Sequence, residues 1–387
     1  MMLLPEFRLE TYFSRWEFSA KYILCGSDIE TLSLQELLAL ASDEDRERWD
    51  KLRLGYVETF GTPALRQAIA ETYESISAGE VLAFAGAEEG LFAAMHAVLE
   101  PDDHAIVIVP NYQSAETLPA SICAVTGIAL AADDDWNLDL DELRAAIRPN
   151  TRLISINFPH NPTGKIIARD QFNELVGMAR EHDLYLFSDE VYRLTERDPA
   201  KRLPQAADVY EKGLSLNVLS KAYGLAGLRI GWIASRDTAL LGKMERIKHY
   251  LSICNSAPGE ALAVIALHAR HEILERNRAL VDSNLERLGA FFGRHRDLFD
   301  WRVPDGGSIG FPRYRGADGV DAFCERLVQQ TGVLLLPGSV YRSPLAATPE
   351  DHFRIGYGRR NMPDALEVLE RFLAGEKGGR ADRIVQR

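Results

Sequence analysis

The sequence predicts an α/β protein: a large unit with a mostly parallel mixed sheet between helices, followed by a smaller α+β unit. Three observations carry this. Short apolar runs alternate with longer helical patterns through the middle of the chain. The runs are apolar at nearly every position, as in strands covered on both faces. Near residue 276 the pattern changes, and a long amphipathic stretch leads into short strands and turns.

The strand-like runs, in order, are HAIVIVP (104–110), TRLISINFP (151–159), DLYLFSDE (183–190), LSLNVLS (214–220) and RIGWIAS (229–235). Between them lie the helical stretches GLFAAMHAVLE (90–100), LDLDELRAAI (138–147) and ARDQFNELVGMAREH (168–182). These place the large unit at about residues 46–275. LERNRALVDSNLERLGAFFGRH predicts a long helix opening the smaller unit, 276–373, where VPDGGSIGFPRY, GVLLLPGSVY and HFRIGYG read as strands and turns. Residues 1–45 are expected to join the smaller unit and act as a lid. The polar, Gly-bearing tail 374–387 reads as disordered.

Acidic residues outnumber basic ones, 57 to 44, for a net charge of −13, which argues against a nucleic-acid surface. It does not exclude anionic small substrates, because one pocket arginine suffices for those. No run approaches the ~20 apolar residues of a membrane helix. The start MMLLPEFRLETYF lacks the basic and apolar regions of a signal peptide, so a cytoplasmic protein is expected. Cys25, Cys123, Cys254 and Cys324 are far apart and form no CxxC pair, which points to free thiols rather than a metal site or disulfides.

Open α/β sheets bind ligands beyond the carboxyl ends of their strands. LYLFSDEVY puts Asp189 at one such end, where alone it reads equally as a loop residue or helix N-cap. NFPHNPTG ends another strand, and turn chemistry alone would explain Asn161-Pro162-Thr163-Gly164. A third strand ends in Ser220 and Lys221. Gly86-Ala87 opens a helix with small residues, leaving backbone N–H groups free for a phosphate. Together, an amine, a carboxylate, a helix N-terminus and the following Arg229 suit an aldehyde-bearing pyridine phosphate.

SKAYGLAGLRIGW is similar to the S-K-x-[FY]-G-x-x-G-x-R-x-G signature of fold-type I pyridoxal 5′-phosphate enzymes of the class I/II aminotransferase family. The matches run in the family's order from about Tyr56 to Arg360. The resemblance implies that Lys221 forms the imine with the cofactor and then serves as general base and acid. It implies that Asp189 pairs with the pyridinium nitrogen, and that Asn161 and Tyr192 hydrogen-bond the ring oxygen. Arg229 and Ser220 would bind the phosphate, with backbone contacts from Ala87 and Glu88, and Tyr112 would stack on the ring. Tyr56, opening YVETFGTPALR, would reach the phosphate of the other subunit, which implies a homodimer with shared active sites. Arg354, in HFRIGYG, would clamp the substrate α-carboxylate alongside Asn161. Arg359 and Arg360 read as surface charges.

Two positions depart from the family pattern. Val218 stands where many relatives carry a Ser or Thr on the phosphate, and Glu88 is expected to turn its carboxylate away from that phosphate. The implied activity is transfer of an amino group between an L-amino acid and a 2-oxo acid. The same carbanion also serves cyclisation, elimination or oxidation. The lead YFSRWEFSAKY is similar to the capreomycidine-synthase branch, which handles arginine derivatives. Trp16, Glu17 and Asp28 are therefore candidate substrate contacts, the two acids for a cationic side chain. A different class, the aminotransferase-like sensor domain of a regulator, would carry a basic winged-helix unit ahead of the domain. The first match to the family already falls at Tyr56, and the residues before it carry seven basic side chains against eleven acidic ones.

Overall fold

A computed structural model describes the backbone of residues 4–385 and the side chains of residues 4–375. Seven strands form the central sheet: β1 (Val81–Phe84), β2 (His104–Val109), β3 (Ala124–Ala129), β4 (Thr151–Asn157), β5 (Tyr185–Asp189), β6 (Gly213–Val218) and β7 (Gly231–Ala234). Their order is β1-β7-β6-β5-β4-β2-β3. All run parallel except β7, which is antiparallel to both its neighbours. Strands β1, β2 and β6 are buried along their whole length, the expected consequence of apolar residues on both faces. The carboxyl ends of β1, β2, β4, β5 and β6 therefore share one edge, and the predicted site residues follow them.

Register aligns the chemistry. Asn157 lies opposite Asp189, Asp189 opposite Leu216, and Val218 and Phe84 both opposite Gly231. The helix Ala87–Val98 starts two residues beyond β1 with no side-chain cap, so its first N–H groups remain unclaimed by a capping side chain.

The helix Arg270–Arg294 leads into the smaller unit, whose three-stranded antiparallel sheet orders Ile309–Gly310, Phe353–Gly356 and Leu336–Pro337. A separate apolar core holds it, centred on Phe291, Phe323, Phe353 and Leu369. The first 45 residues divide between the units. Tyr22–Ile23 pairs in parallel with Val333–Leu334 of the smaller unit, while Leu37 packs into the core of the larger one. The last helix runs Met362–Val385 and so continues through the segment expected to be disordered. Its Ala, Glu, Lys and Arg residues are good helix formers, and extending an existing helix avoids the cost of nucleation. The last two residues of the tail lie outside the described residues.

Among the described residues, no helix is long and apolar enough to cross a membrane, and no group of three His, Cys, Asp or Glu side chains could hold a metal ion. The four cysteines are unpaired.

Candidate active site

The shared strand edge opens on a cavity of about 390 Å³. Lys221 lies at its base, where its Nζ donates to Ser27 Oγ at 2.8 Å and sits 5.8 Å from the centre of the Tyr192 ring. Burial disfavours its charged form and brings its pKa down to about 8, against the pull of Asp28 and Asp189. Asp189 lines the same cavity, with Oδ1 accepting from the Val191 N–H at 3.1 Å. Burial raises its pKa to about 7, although that N–H and Lys221 both favour the carboxylate.

Asn157 organises the neighbouring wall. Its Nδ2 donates to the Asp189 carbonyl at 2.9 Å and its Oδ1 accepts from the Asn161 N–H at 2.7 Å. The turn after β4 is thereby tied to the end of β5. The Asn161 side chain lines the cavity, and its Oδ1 accepts from Tyr341 at 3.1 Å. Arg354 stands behind it, 1% exposed, donating to the Tyr341 hydroxyl at 2.8 Å and the Cys25 carbonyl at 3.1 Å. Arg354 thus touches Asn161 rather than lining the cavity itself.

At the opposite end Arg229 and the start of the helix Ala87–Val98 form a cradle. Gly86 has φ +97° and ψ 172°, a region essentially closed to other residues. A Cβ there would lie 2.5 Å from Arg229 Nη2. Glycine is what lets the guanidinium approach the helix start. Ser220, Ala87 and Val218 complete this end.

Glu88 borders the cavity, its carboxylate accepts from Ser114 Oγ at 2.9 Å, and burial raises its pKa to about 7. Tyr112 lines the cavity and donates to Glu10 Oε1 at 2.6 Å. Glu10, Phe13 and Glu17 project into it from one face of the helix Arg8–Trp16 at spacings of three and four. Trp16 points elsewhere, packing on the apolar core with Arg15 over its ring, because it falls off that face. Glu10 and Phe13 were legible from this periodicity, yet composition drew attention to Trp16 instead.

Arg359 is not the surface charge its sequence context suggests. Its Nη2 bridges Asp28 Oδ1 and Oδ2 at 2.8 and 2.7 Å, and both residues line the cavity. Arg360 is exposed. Tyr56 lies outside the cavity, 92% exposed.

The residues present fit pyridoxal 5′-phosphate. The Tyr192 hydroxyl is buried at the cavity with no well-formed hydrogen bond, beside the Ser27 hydroxyl that accepts from Lys221. Buried hydroxyls without such a bond are rare, and this one borders the cavity. The uncapped helix start and Arg229 offer donors and a cation for a phosphate.

Residues 24–372 match the family Aminotransferase class I and II. The chain belongs to the class I and II aminotransferase family. It is 30% identical over 383 residues to the capreomycidine synthase of Streptomyces vinaceus, covering 97% of this chain and 96% of that one. It is also 30% identical over 313 residues to an arginine–pyruvate transaminase of Pseudomonas aeruginosa, covering 78% and 77%. A PLP-dependent aminotransferase from Streptococcus suis superposes with a TM-score of 0.89 at 32% identity, covering 96% of this chain and 98% of that structure. This aminotransferase therefore has the fold-type I architecture, uses pyridoxal 5′-phosphate, and acts on amino acids and 2-oxo acids.

Proposed function

We propose that the amino acid this aminotransferase accepts carries a cationic side chain, in the manner of arginine. One observation carries the reading. Five carboxylates line the cavity (Glu10, Glu17, Asp28, Glu88 and Asp189) against three cations, Lys221, Arg229 and Arg359. Assigning Asp189, Lys221 and Arg229 to the cofactor leaves four acids facing one arginine. Asp28 is already paired to that arginine, so Glu10 and Glu17 are the groups that would read a guanidinium or ammonium. Burial chiefly, and then the nearness of Glu10 and Asp28, raise the Glu17 pKa.

When bound, pyridoxal phosphate supplies an electron sink for the electrons left at Cα. Lys221 carries the proton between Cα and the acceptor carbon, its lowered pKa making it an effective base near neutrality. Asp189 holds the proton on the ring nitrogen. Tyr192 and Asn161 would donate to the ring oxygen, while Arg229, Ser220 and the N–H groups of Ala87 and Glu88 would hold the phosphate. Tyr112 covers the ring face. Arg354, held by Tyr341 behind Asn161, would have to reach past the Asn161 side chain to take the substrate carboxylate.

Residues 46–275 are the cofactor-holding unit and 276–373 the second. The chain works as a cytoplasmic homodimer. Leu54, Tyr56, Tyr250 and Ile253 are large apolar residues left exposed, and Tyr56 would complete the partner's phosphate site.

Arginine, lysine, glutamate and alanine should be compared as donors with pyruvate as acceptor. The reading expects kcat/KM for arginine or lysine to lead by about a hundredfold, equivalent to a ~3 kcal/mol charge-assisted contact. Equal or better use of glutamate would sink it. Ammonia release without stoichiometric keto-acid exchange would instead assign elimination, and a cyclic amino acid formed with neither ammonia nor keto acid would assign cyclisation of the same substrate.

A further inference from the structure

A second cavity, of about 240 Å³, lies behind the catalytic lysine. Val191 and Val218 form the dividing wall and line both cavities. Ala222 and Tyr223, the two residues after Lys221, form another wall, and the start of the helix Arg270–Arg294 closes it.

Four arginines line it: Arg193 and Arg202 from the segment after β5, and Arg270 and the more exposed Arg278 two turns apart on the helix Arg270–Arg294. Arg202 is ion-paired, its Nε to Glu196 Oε2 at 2.8 Å. The other three make no ion pair among the described residues. Arg193 Nη1 donates to the Leu203 carbonyl, Arg270 Nη1 to Leu267 and Arg278 Nε to Leu274. Each guanidinium has five N–H groups, so most stay available to a ligand. Glu71 is the one carboxylate lining this cavity among the described residues, and it is exposed. The buried Glu190 below is already used by the Ala206 N–H, Ser215 and Asn217. Arg193 acts on the buried Glu190, which leaves Arg270 and Arg278 as the arginines of this hollow without an ion pair among the described residues, in a chain of net charge −13. A concave, low-dielectric wall focuses their field.

We propose that this cavity binds a compact multivalent oxyanion, phosphate or a phosphate ester, and that its occupancy is felt at Lys221. Planar guanidinium groups match phosphate oxygens in pairs, and converging arginines suit a dianion better than a monocarboxylate. The site is separate from the cofactor's own phosphate cradle, since Arg229 does not line it. Transmission has a short route: Val218 and Ala222 flank Lys221 in sequence and touch the second cavity directly.

The test is calorimetric titration of inorganic phosphate into the holoenzyme, whose cradle at Arg229 is already filled, at ionic strength held constant with chloride. Saturable binding is expected. The double variant Arg270→Gln, Arg278→Gln should weaken it about tenfold or more, as expected for lost charge-assisted bonds. That variant should keep the wild-type melting temperature and turnover without phosphate. Saturating phosphate should change kcat/KM of the wild type and leave the double variant unmoved. Equal phosphate affinity in both proteins would overturn the site, as would a heat reproduced by chloride, which means an adventitious ion only. Competition with the amino-acid substrate would place the phosphate in the catalytic cavity and overturn it too. Binding that leaves kcat/KM unchanged would overturn the coupling to Lys221.

Discussion

Replacing Gly86 with alanine tests the phosphate cradle at its tightest point. Two separate costs follow from the geometry. The backbone at φ +97° and ψ 172° is strained for any L residue, by about 1–3 kcal/mol. The new Cβ also lies 2.5 Å from Arg229 Nη2, and 3.1 Å from its Cζ, so the guanidinium must move. Its freedom is limited, because Nη1 and Nη2 face the carbonyls of Ala226 and Ala85 at 3.3 and 3.5 Å. A displaced guanidinium forfeits a charge-assisted hydrogen bond to the phosphate, about 1.5–3 kcal/mol, or a roughly tenfold to hundredfold higher Kd. Fluorescence titration of the apoprotein with pyridoxal phosphate reads this directly, and thermal unfolding of the apoprotein reads the strain alone. Gly227→Ala is the matched control in the same region, with nothing within 4 Å of its Cβ. Cofactor affinity of Gly86→Ala within twofold of wild type would refute the role assigned to Arg229.

Asp189→Asn should retain cofactor through the cradle but lower kcat by about 10²–10⁴, the kinetic equivalent of losing one partner of a buried charge pair at ~3–5 kcal/mol. Turnover within tenfold of wild type would contradict its place beside the ring nitrogen. Burial lowers the Lys221 pKa, so its amine is neutral above about pH 8. Borohydride trapping of pyridoxal phosphate on the apoprotein should therefore rise with pH through about 8 and level off, whereas a midpoint near 10 would show an ordinary lysine. Lys248 is fully buried and donates to the carbonyls of Thr59 and Ala83 at 2.6 and 2.7 Å. Lys248→Met leaves both unsatisfied, at about 1–3 kcal/mol each, so the melting temperature should fall, and an unchanged value would refute that staple. Arg359→Gln frees Asp28, so KM for arginine should fall and KM for glutamate rise, and movement of both in one direction would argue against charge reading.

Most of the cofactor end was legible in the sequence because its residues follow strand ends within a few positions of a fixed pattern. Lys221, Asp189, Asn161 and Arg229 all line one cavity for that reason. The substrate end was less legible. Arg359 meets Asp28 across 331 positions, a separation that no local pattern encodes. Val218 and Glu88 kept their places in the wall, but the direction of the Glu88 side chain depended on Ser114, 26 residues away. Arg354 holds its position through Tyr341, which sequence reading passed over because a tyrosine in an apolar run reads as core. The small strands after residue 300 have two to four residues each, too short for periodicity to fix.

The bridge between Asp28 and Arg359 also fastens the opening of the chain to its closing third, across a cavity whose floor belongs to neither. On the proposed reading, the catalytic residues and those that read the substrate side chain sit at separate addresses. If Glu10, Glu17 and Asp28 read the side chain as proposed, drift among the first thirty residues would re-aim the enzyme at a new amino acid while the floor stays as inherited. Grafting that segment between relatives offers a direct route to exchanging specificity, provided both ends of the bridge travel together.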